Sequence, residues 1–217
     1  MPKTQSYETH VEKYDQWFDD NPKTYHTEID AIQRLLPQGK GLEIGAGSGR
    51  FTAPLKIDTG IEPAKAMREA ALMRGVNMID GVAESLPFDD NTYDYAIFIT
   101  STCFLDNPQQ AYQEAARVVK ENGSILIAFL EKNSELGKVY EAHKHDSPFY
   151  CDAIFYSYQE ITVLLQNVGF KHFSSVQTVL PENSNQNTND ILTGHDQGAF
   201  VVIKADKTIN TSKTNTL

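Results

Sequence analysis

The chain has 217 residues, 40% hydrophobic and 22% charged, which suits one globular domain with a sizeable core and leaves little room for a second. Its formal net charge of -10 argues against nucleic acid or an anionic membrane as partner, because affinity for dense phosphate comes from lysine and arginine and no basic cluster stands out. No run approaches the roughly 18–20 apolar residues of a membrane span, and residues 1–10 are polar, without a signal-peptide core. Two cysteines, Cys103 and Cys151, make neither a disulfide framework nor a four-ligand zinc site. A cytoplasmic protein with reduced thiols and no metal is therefore expected, as a monomer or homodimer.

Residues 7–36 read as helical, with Tyr14, Trp17, Phe18, Tyr25 and His26 among polar neighbours, and Pro37-Gln38-Gly39 closes the segment. Residues 41–44 are a short apolar run leading straight into glycines, which predicts a buried strand. A second strand is expected over 56–61, then a helix over 63–74 with Pro63 in its first turn, where a missing N–H costs little. Ala66, Ala70 and Met73 fall on one face of it at helical spacing. Third and fourth strands are expected over 76–80 and 93–100.

Asn107 as cap and Pro108 behind it open a helix to about Lys120, with Ala111, Ala115 and Val118 on one face and Asn122-Gly123 as the stop. A fifth strand (124–130) precedes a polar insert, about 131–156, with a helix near 134–145. Ser157 and Glu160 have capping-box spacing for a helix through Val168, ended by Gly169. Two last strands are expected over 170–180 and 199–204. The Asn-rich stretch 182–197 between them predicts a mobile loop, and the polar tail 205–217 predicts fraying. Strands alternating with helices imply an α/β fold, a doubly wound and mostly parallel sheet covered on both faces. Ligands bind such sheets beyond the carboxyl ends of the strands, near the switch in strand order.

That crevice is where the central motif falls, Glu43-Ile44-Gly45-Ala46-Gly47-Ser48-Gly49. Gly45 and Gly47 let the backbone turn tightly and let a ligand approach without a Cβ in the way. A glycine-rich loop is also how many plain strand-to-helix turns are made. The spacing Gly-x-Gly-x-Gly is not the Gly-x-Gly-x-x-Gly of dinucleotide binders. Glu43, two residues before the first glycine, would repel a pyrophosphate and suit a cationic ligand. Glu62, at the end of the second strand, can accept hydrogen bonds from both hydroxyls of a ribose, or stand as a solvated acid favourable at a helix start.

Together with Gly60-Ile61-Glu62-Pro63, Gly81-Val82-Ala83-Glu84-Ser85-Leu86-Pro87-Phe88, Tyr93-Asp94-Tyr95-Ala96 and the run from Glu114 to Lys120, this set resembles the class I S-adenosylmethionine-dependent methyltransferases, specifically the small-molecule group typed as methyltransferase 11. The resemblance covers roughly 41–130 and is specific because the motifs occur in order. It implies a Rossmann-like, seven-stranded sheet with the last strand antiparallel, occupying residues 37–204, behind a helical lid over 1–36. It implies that Glu43 and the Gly45-Ala46-Gly47 loop hold the methionine part of S-adenosylmethionine and that Glu62 binds the ribose. Pro63 and Met67 would flank the adenine, Ala83 and Glu84 would meet its edge, and Thr100 would line the floor near the methyl donor. Met67 reads equally as an ordinary helix core residue. One departure is that Pro54 shortens the helix after the glycine loop to one or two turns.

Methyl transfer from a sulfonium is an in-line displacement that asks the protein mainly to align the acceptor and exclude water. A catalytic triad is not required, and no general base is assigned. The stretch from Thr100 to Asp106 lacks the Asn/Asp-Pro-Pro-aromatic motif of nucleic-acid amino methyltransferases, in agreement with the charge. The expected partner is a small-molecule acceptor. Its candidate contacts are Tyr14, Trp17, Tyr25 and His26 from the lid and Cys103 and Phe104 after the fourth strand. His143, His145, Phe149 and Tyr150 of the insert are further candidates. A non-catalytic module binding S-adenosylmethionine or S-adenosylhomocysteine is the alternative, and a nicotinamide-dependent oxidoreductase a third reading.

Overall fold

The computed structural model describes residues 4–181 and 187–208. Helices α1 (Gln5–Thr9), α2 (Val11–Asp20) and α3 (Pro22–Gln33) come first. His10 separates the first two, and Pro22 sits at the first position of α3, so one expected helical segment is three short helices. Then follow β1 (Gly41–Ile44), α4 (Thr52–Leu55), β2 (Thr59–Ile61), α5 (Lys65–Met73), β3 (Met78–Ile79), β4 (Tyr93–Ile99) and α6 (Pro108–Val118). The chain continues through β5 (Val119–Leu130), α7 (Glu135–His143), α8 (Tyr158–Asn167), β6 (Phe170–Thr178), β7 (Leu192–Thr193) and β8 (Phe200–Lys207).

The strands form one sheet in the order β3-β2-β1-β4-β5-β8-β6-β7. β1 to β5 pair parallel, and β8 lies antiparallel between β5 and β6. Side chains alternate across the sheet. Phe98, Ile125 and Ile127 join Tyr112 of α6 and Ile161 of α8 in one core layer, while Ile97, Ile99 and Leu126 join Ile29 and Ile32 of α3 in the other. Both faces are thereby covered, as a parallel sheet requires. The order of the strands reverses beside β1 and β4, and their carboxyl ends open a crevice there.

Four expectations need correction. The sheet has eight strands, not seven, because β7 lies inside the stretch read as a loop; residues 182–186 of that stretch fall outside the described residues. The tail does not fray at Ala205, which is fully buried opposite Ile125, and β8 runs on to Lys207, whose Nζ donates to the Val119 carbonyl at 2.7 Å. Residues 209–217 lie outside the described residues.

α5 starts at Lys65, leaving Pro63 outside it, and its buried face is Met67 and Ala71, whereas Met73 is 89% exposed. The side of α5 turned to the sheet carries Met67 and Ala71, and Met73 falls in a last turn the core does not cover. Asn122-Gly123 does not follow the helix as a stop. The helix ends at Val118, and the pair sits inside β5, where Asn122 has a positive φ of 63° and the register against β4 shifts. Between Tyr93↔Val119 and Tyr95↔Ser124, β5 takes up three more residues than β4 without the strand ending.

Candidate active site

β1 delivers its chain into the turn Gly45–Gly49, where Gly45, Gly47 and Gly49 all have positive φ. L-residues with a Cβ rarely adopt that backbone. At Gly45 a Cβ would also meet Ser101 Cβ at 2.6 Å, and Ser101 is fixed by its own hydroxyl donating to the Ile44 carbonyl at 2.7 Å. α4 is a single turn, as Pro54 predicts, with Phe51 and Leu55 buried beneath it.

Beside this loop lies a cavity of about 390 Å³, within the range of small-molecule sites. Gly45, Gly47, Glu62, Pro63, Ala83, Glu84 and Thr100 line it, seven of the ten residues the sequence assigns to a cofactor. Glu62 comes from the end of β2. Its Oε1 accepts from the Ala64 N–H at 2.8 Å and its Oε2 from the Gly47 N–H at 3.0 Å, which fixes the carboxylate and leaves each oxygen a further lone pair. Burial raises its pKa, and those two N–H groups oppose the rise.

Thr100 ends β4 with a positive φ of 50°, unfavourable for a β-branched residue, and its N–H is held by the Ala128 carbonyl at 2.8 Å. Glu84 Oε1 accepts from the N–H groups of Asp106 and Asn107, so that oxygen orders the loop after β4. The described residues lining the cavity include three acids, Glu62, Glu84 and Asp106, and no lysine or arginine.

Glu43, Ala46 and Met67 are placed differently, behind the lining. Glu43 is 1% exposed and its Oε2 accepts from the Thr52 hydroxyl at 2.6 Å. Burial pushes its carboxyl up to about 8, and the nearby Glu62 charge adds to the rise. Ala46 packs against Gly60, and Met67 is fully buried in α5.

The N-terminal helices cover the cavity. Tyr7 of α1 and Tyr14 of α2 line it, and both phenols are held protonated by burial. Asp15 fastens α2 to the glycine loop. Its Oδ1 accepts from Ser48 Oγ (2.6 Å) and Arg50 Nε (3.0 Å), and its Oδ2 from Arg74 Nη2 (2.6 Å). Glu8 accepts from the N–H groups of Lys65 and Ala66, tying α1 to the first turn of α5.

A second cavity, about 480 Å³, shares Tyr7, Tyr14, Thr100 and Tyr150 with the first. Trp17, Phe51, Tyr140 and Phe149 contribute more aromatic wall, and Glu28 of α3 contributes a carboxyl. Of the acceptor candidates, Tyr14 lines both cavities, Trp17 the second and Phe104 the first. Cys103 lines a separate small void, its Sγ donating to the Thr100 carbonyl at 3.4 Å. Tyr25 instead packs on Phe18 and Phe51 and donates its hydroxyl to the Arg50 carbonyl, and His26 is exposed with Nδ1 2.6 Å from the Pro22 carbonyl. His143, Phe149 and Tyr150 reach the second cavity; His145 does not line it.

Sequence reasoning missed Tyr7, Glu8, Asp15 and Glu28. Glu28 carried a signal, since it stands four residues before the buried Ile32 on the same helix face. Asp15 carried none, because its partners are 33, 35 and 59 positions away.

The family profile Methyltransf_11, a methyltransferase domain, matches residues 42–127. A crystal structure from Thermotoga maritima, described as an S-adenosylmethionine-dependent methyltransferase and possible histamine N-methyltransferase, superposes with a TM-score of 0.89 at 40% identity, covering 94% of this chain and 99% of that one. An uncharacterised protein of Methanocaldococcus jannaschii is 39% identical over 93% of this chain and 98% of its own length. A Haemonchus contortus phosphoethanolamine N-methyltransferase shares the fold, with a TM-score of 0.61 at 17% identity over 85% of this chain and 53% of that one. An α/β sheet with an acid-lined, glycine-bordered crevice defines the class: the protein belongs to the S-adenosylmethionine-dependent methyltransferase family. It is an enzyme of that class, with S-adenosylmethionine as its methyl donor.

Proposed function

We propose that the chain transfers the donor methyl group to a small organic acceptor held in the second cavity. The observation that carries this reading is the pair of adjoining cavities meeting at Thr100, Tyr14 and Tyr150. Acids without basic residues suit a sulfonium and an ammonium and disfavour a pyrophosphate, which weighs against the nicotinamide reading. In the first cavity Glu62 takes the ribose hydroxyls through its free lone pairs, and the glycine loop leaves room for the methionine arm. Pro63 and Ala83 flank the adenine. Glu43 acts at one remove, by charge from behind the loop.

The chain's own work is then to align the acceptor at the floor formed by Thr100 and to keep water out with the Tyr7 and Tyr14 lid. Nucleic-acid acceptors are disfavoured by the net charge of -10. Among the described residues no helix is long and apolar enough to cross a membrane.

A methyl-transfer screen against a metabolite panel, scored by formation of S-adenosylhomocysteine, tests the reading. The Thermotoga maritima relative's description places nitrogen acceptors at the head of that panel. Tight donor binding with no turnover on any acceptor would favour the non-catalytic module.

A further inference from the structure

The second cavity holds a charge problem that the methyl-donor site does not explain. Glu28 projects from α3 among apolar residues, is 9% exposed, and lines that cavity. Among the described residues, neither of its carboxylate oxygens has a hydrogen bond or ion pair. A buried carboxylate without a partner is costly, and proteins seldom keep one without a use. It is the only acid among the described residues lining this cavity.

Three cationic or titratable side chains also border the cavity, Lys13, His143 and Lys144. None of them is paired with Glu28. Lys13 and His143 are exposed, and Lys144 Nζ is committed to Glu141 Oε1 at 2.8 Å and to the Ala153 carbonyl at 3.1 Å. The rest of the wall is mostly apolar and rich in rings, and the phenols of Tyr14, Tyr140 and Tyr150 lie close enough to Glu28 to feel its charge. Ring faces attract organic cations, most strongly where water is excluded. A carboxylate with aromatic neighbours is the arrangement that binds an ammonium carried on an apolar body. A neutral molecule offers Glu28 no charge to pair with and leaves its carboxyl protonated, and an anionic one is repelled by its ionised form.

Resting on the reading of the second cavity as the acceptor site, we propose that this cavity selects an organic amine, with the Glu28 carboxylate as counter-ion to its ammonium group. Burial pushes the free Glu28 carboxyl up to about 8. An arriving ammonium supplies the opposite charge that favours its ionised form. An ammonium has no lone pair, so where the same nitrogen accepts the methyl group it first gives one proton to the Glu28 carboxylate, and the neutral amine then displaces the methyl from the sulfonium.

The test uses 2-phenylethylamine, tryptamine and histamine, with 2-phenylethanol as the uncharged match, binding to wild type and to Glu28→Gln in the presence of S-adenosylhomocysteine. The readout is calorimetric affinity, with KM and kcat for any amine that turns over. Wild type is expected to bind at least one of the amines, and to bind 2-phenylethylamine more tightly than the alcohol by about tenfold or more. Glu28→Gln is expected to remove that preference and raise KM, with the affinity for S-adenosylhomocysteine unchanged.

An amine-to-alcohol ratio within about threefold in wild type, or one that Glu28→Gln leaves unaltered, overturns the proposal. So does the absence of any amine binding at millimolar concentration. Loss of S-adenosylhomocysteine binding in wild type would instead strike the methyltransferase reading itself. A Glu28→Asp variant that restores part of the amine preference separates a charge role from a packing role.

Discussion

Replacing Asp15 by alanine should loosen α2 on the glycine loop while leaving the sheet intact. The Asp15 carboxylate is 16% exposed and receives two arginine bonds and one from a hydroxyl, at 2.6–3.0 Å. Hydrogen bonds to charged groups contribute about 1.5–3 kcal/mol each. Arg50 still holds α2 through Asp19, at 2.9 Å, and the Asp15 backbone carbonyl, at 3.0 Å, and Arg74 keeps the Ser48 carbonyl, at 2.9 Å, so the losses do not add fully. About 3 kcal/mol is a reasonable net value for the latch. Hydrogen exchange reads it locally. Amides of α2 should exchange about 100-fold faster in the variant, since 1.4 kcal/mol is a factor of ten, while amides of β4 and β5 change little.

The latch should also open in acid. Burial raises the Asp15 pKa, but the bonds from Ser48, Arg74 and Arg50 outweigh that and hold it below its usual value. A lowered carboxylate pKa contributes stability that is present above the unfolded value, about 3.9, and lost as pH falls through the folded one. Wild-type α2 protection should therefore drop below about pH 4. Equal acceleration across α2, β4 and β5, or none in α2, would refute the latch.

Glu62→Ala should weaken S-adenosylmethionine binding by about 30- to 100-fold, equivalent to roughly 2–3 kcal/mol, in a chain that still folds; calorimetry together with circular dichroism checks both halves. Gly45→Ala should abolish donor binding, because the new Cβ would meet Ser101 at 2.6 Å in a backbone with φ of 76°, and equilibrium dialysis with labelled donor would show it. Glu28 and Glu43 both sit with pKa values raised to about 8, so the donor-free fold should lose stability as pH rises from about 4.3, the unfolded value, through 8. Urea titrations across that range should show a shallower decline in Glu28→Gln.

The fold and the crevice beside the glycine loop were legible because they are written in local patterns. A short apolar strand, glycines that need positive φ, and an acid at the next strand's end are readable within 20 positions of one another. The capping box at Ser157 is likewise local, and Glu160 completes it in the structure. What escaped was set by distant partners. The buried face of α5 depended on which side met the core, not on which residue was most apolar. Ala205 and Lys207 looked like tail because their partners, Ile125 and Val119, lie 80 or more positions earlier. The second cavity was least legible, since Glu28 and Tyr150 approach it from opposite halves of the chain. No window on the sequence contains both.

The placement of β8 between β5 and β6 has a consequence for biosynthesis. β6 and β7 are made before β8, yet β6 joins the rest of the sheet only by pairing with β8. Once inserted, β8 acts as a keystone: anything that pulls it out uncouples β6 and β7 together. Proteolysis or a mutation in its segment should thus bare the edges of both β5 and β6.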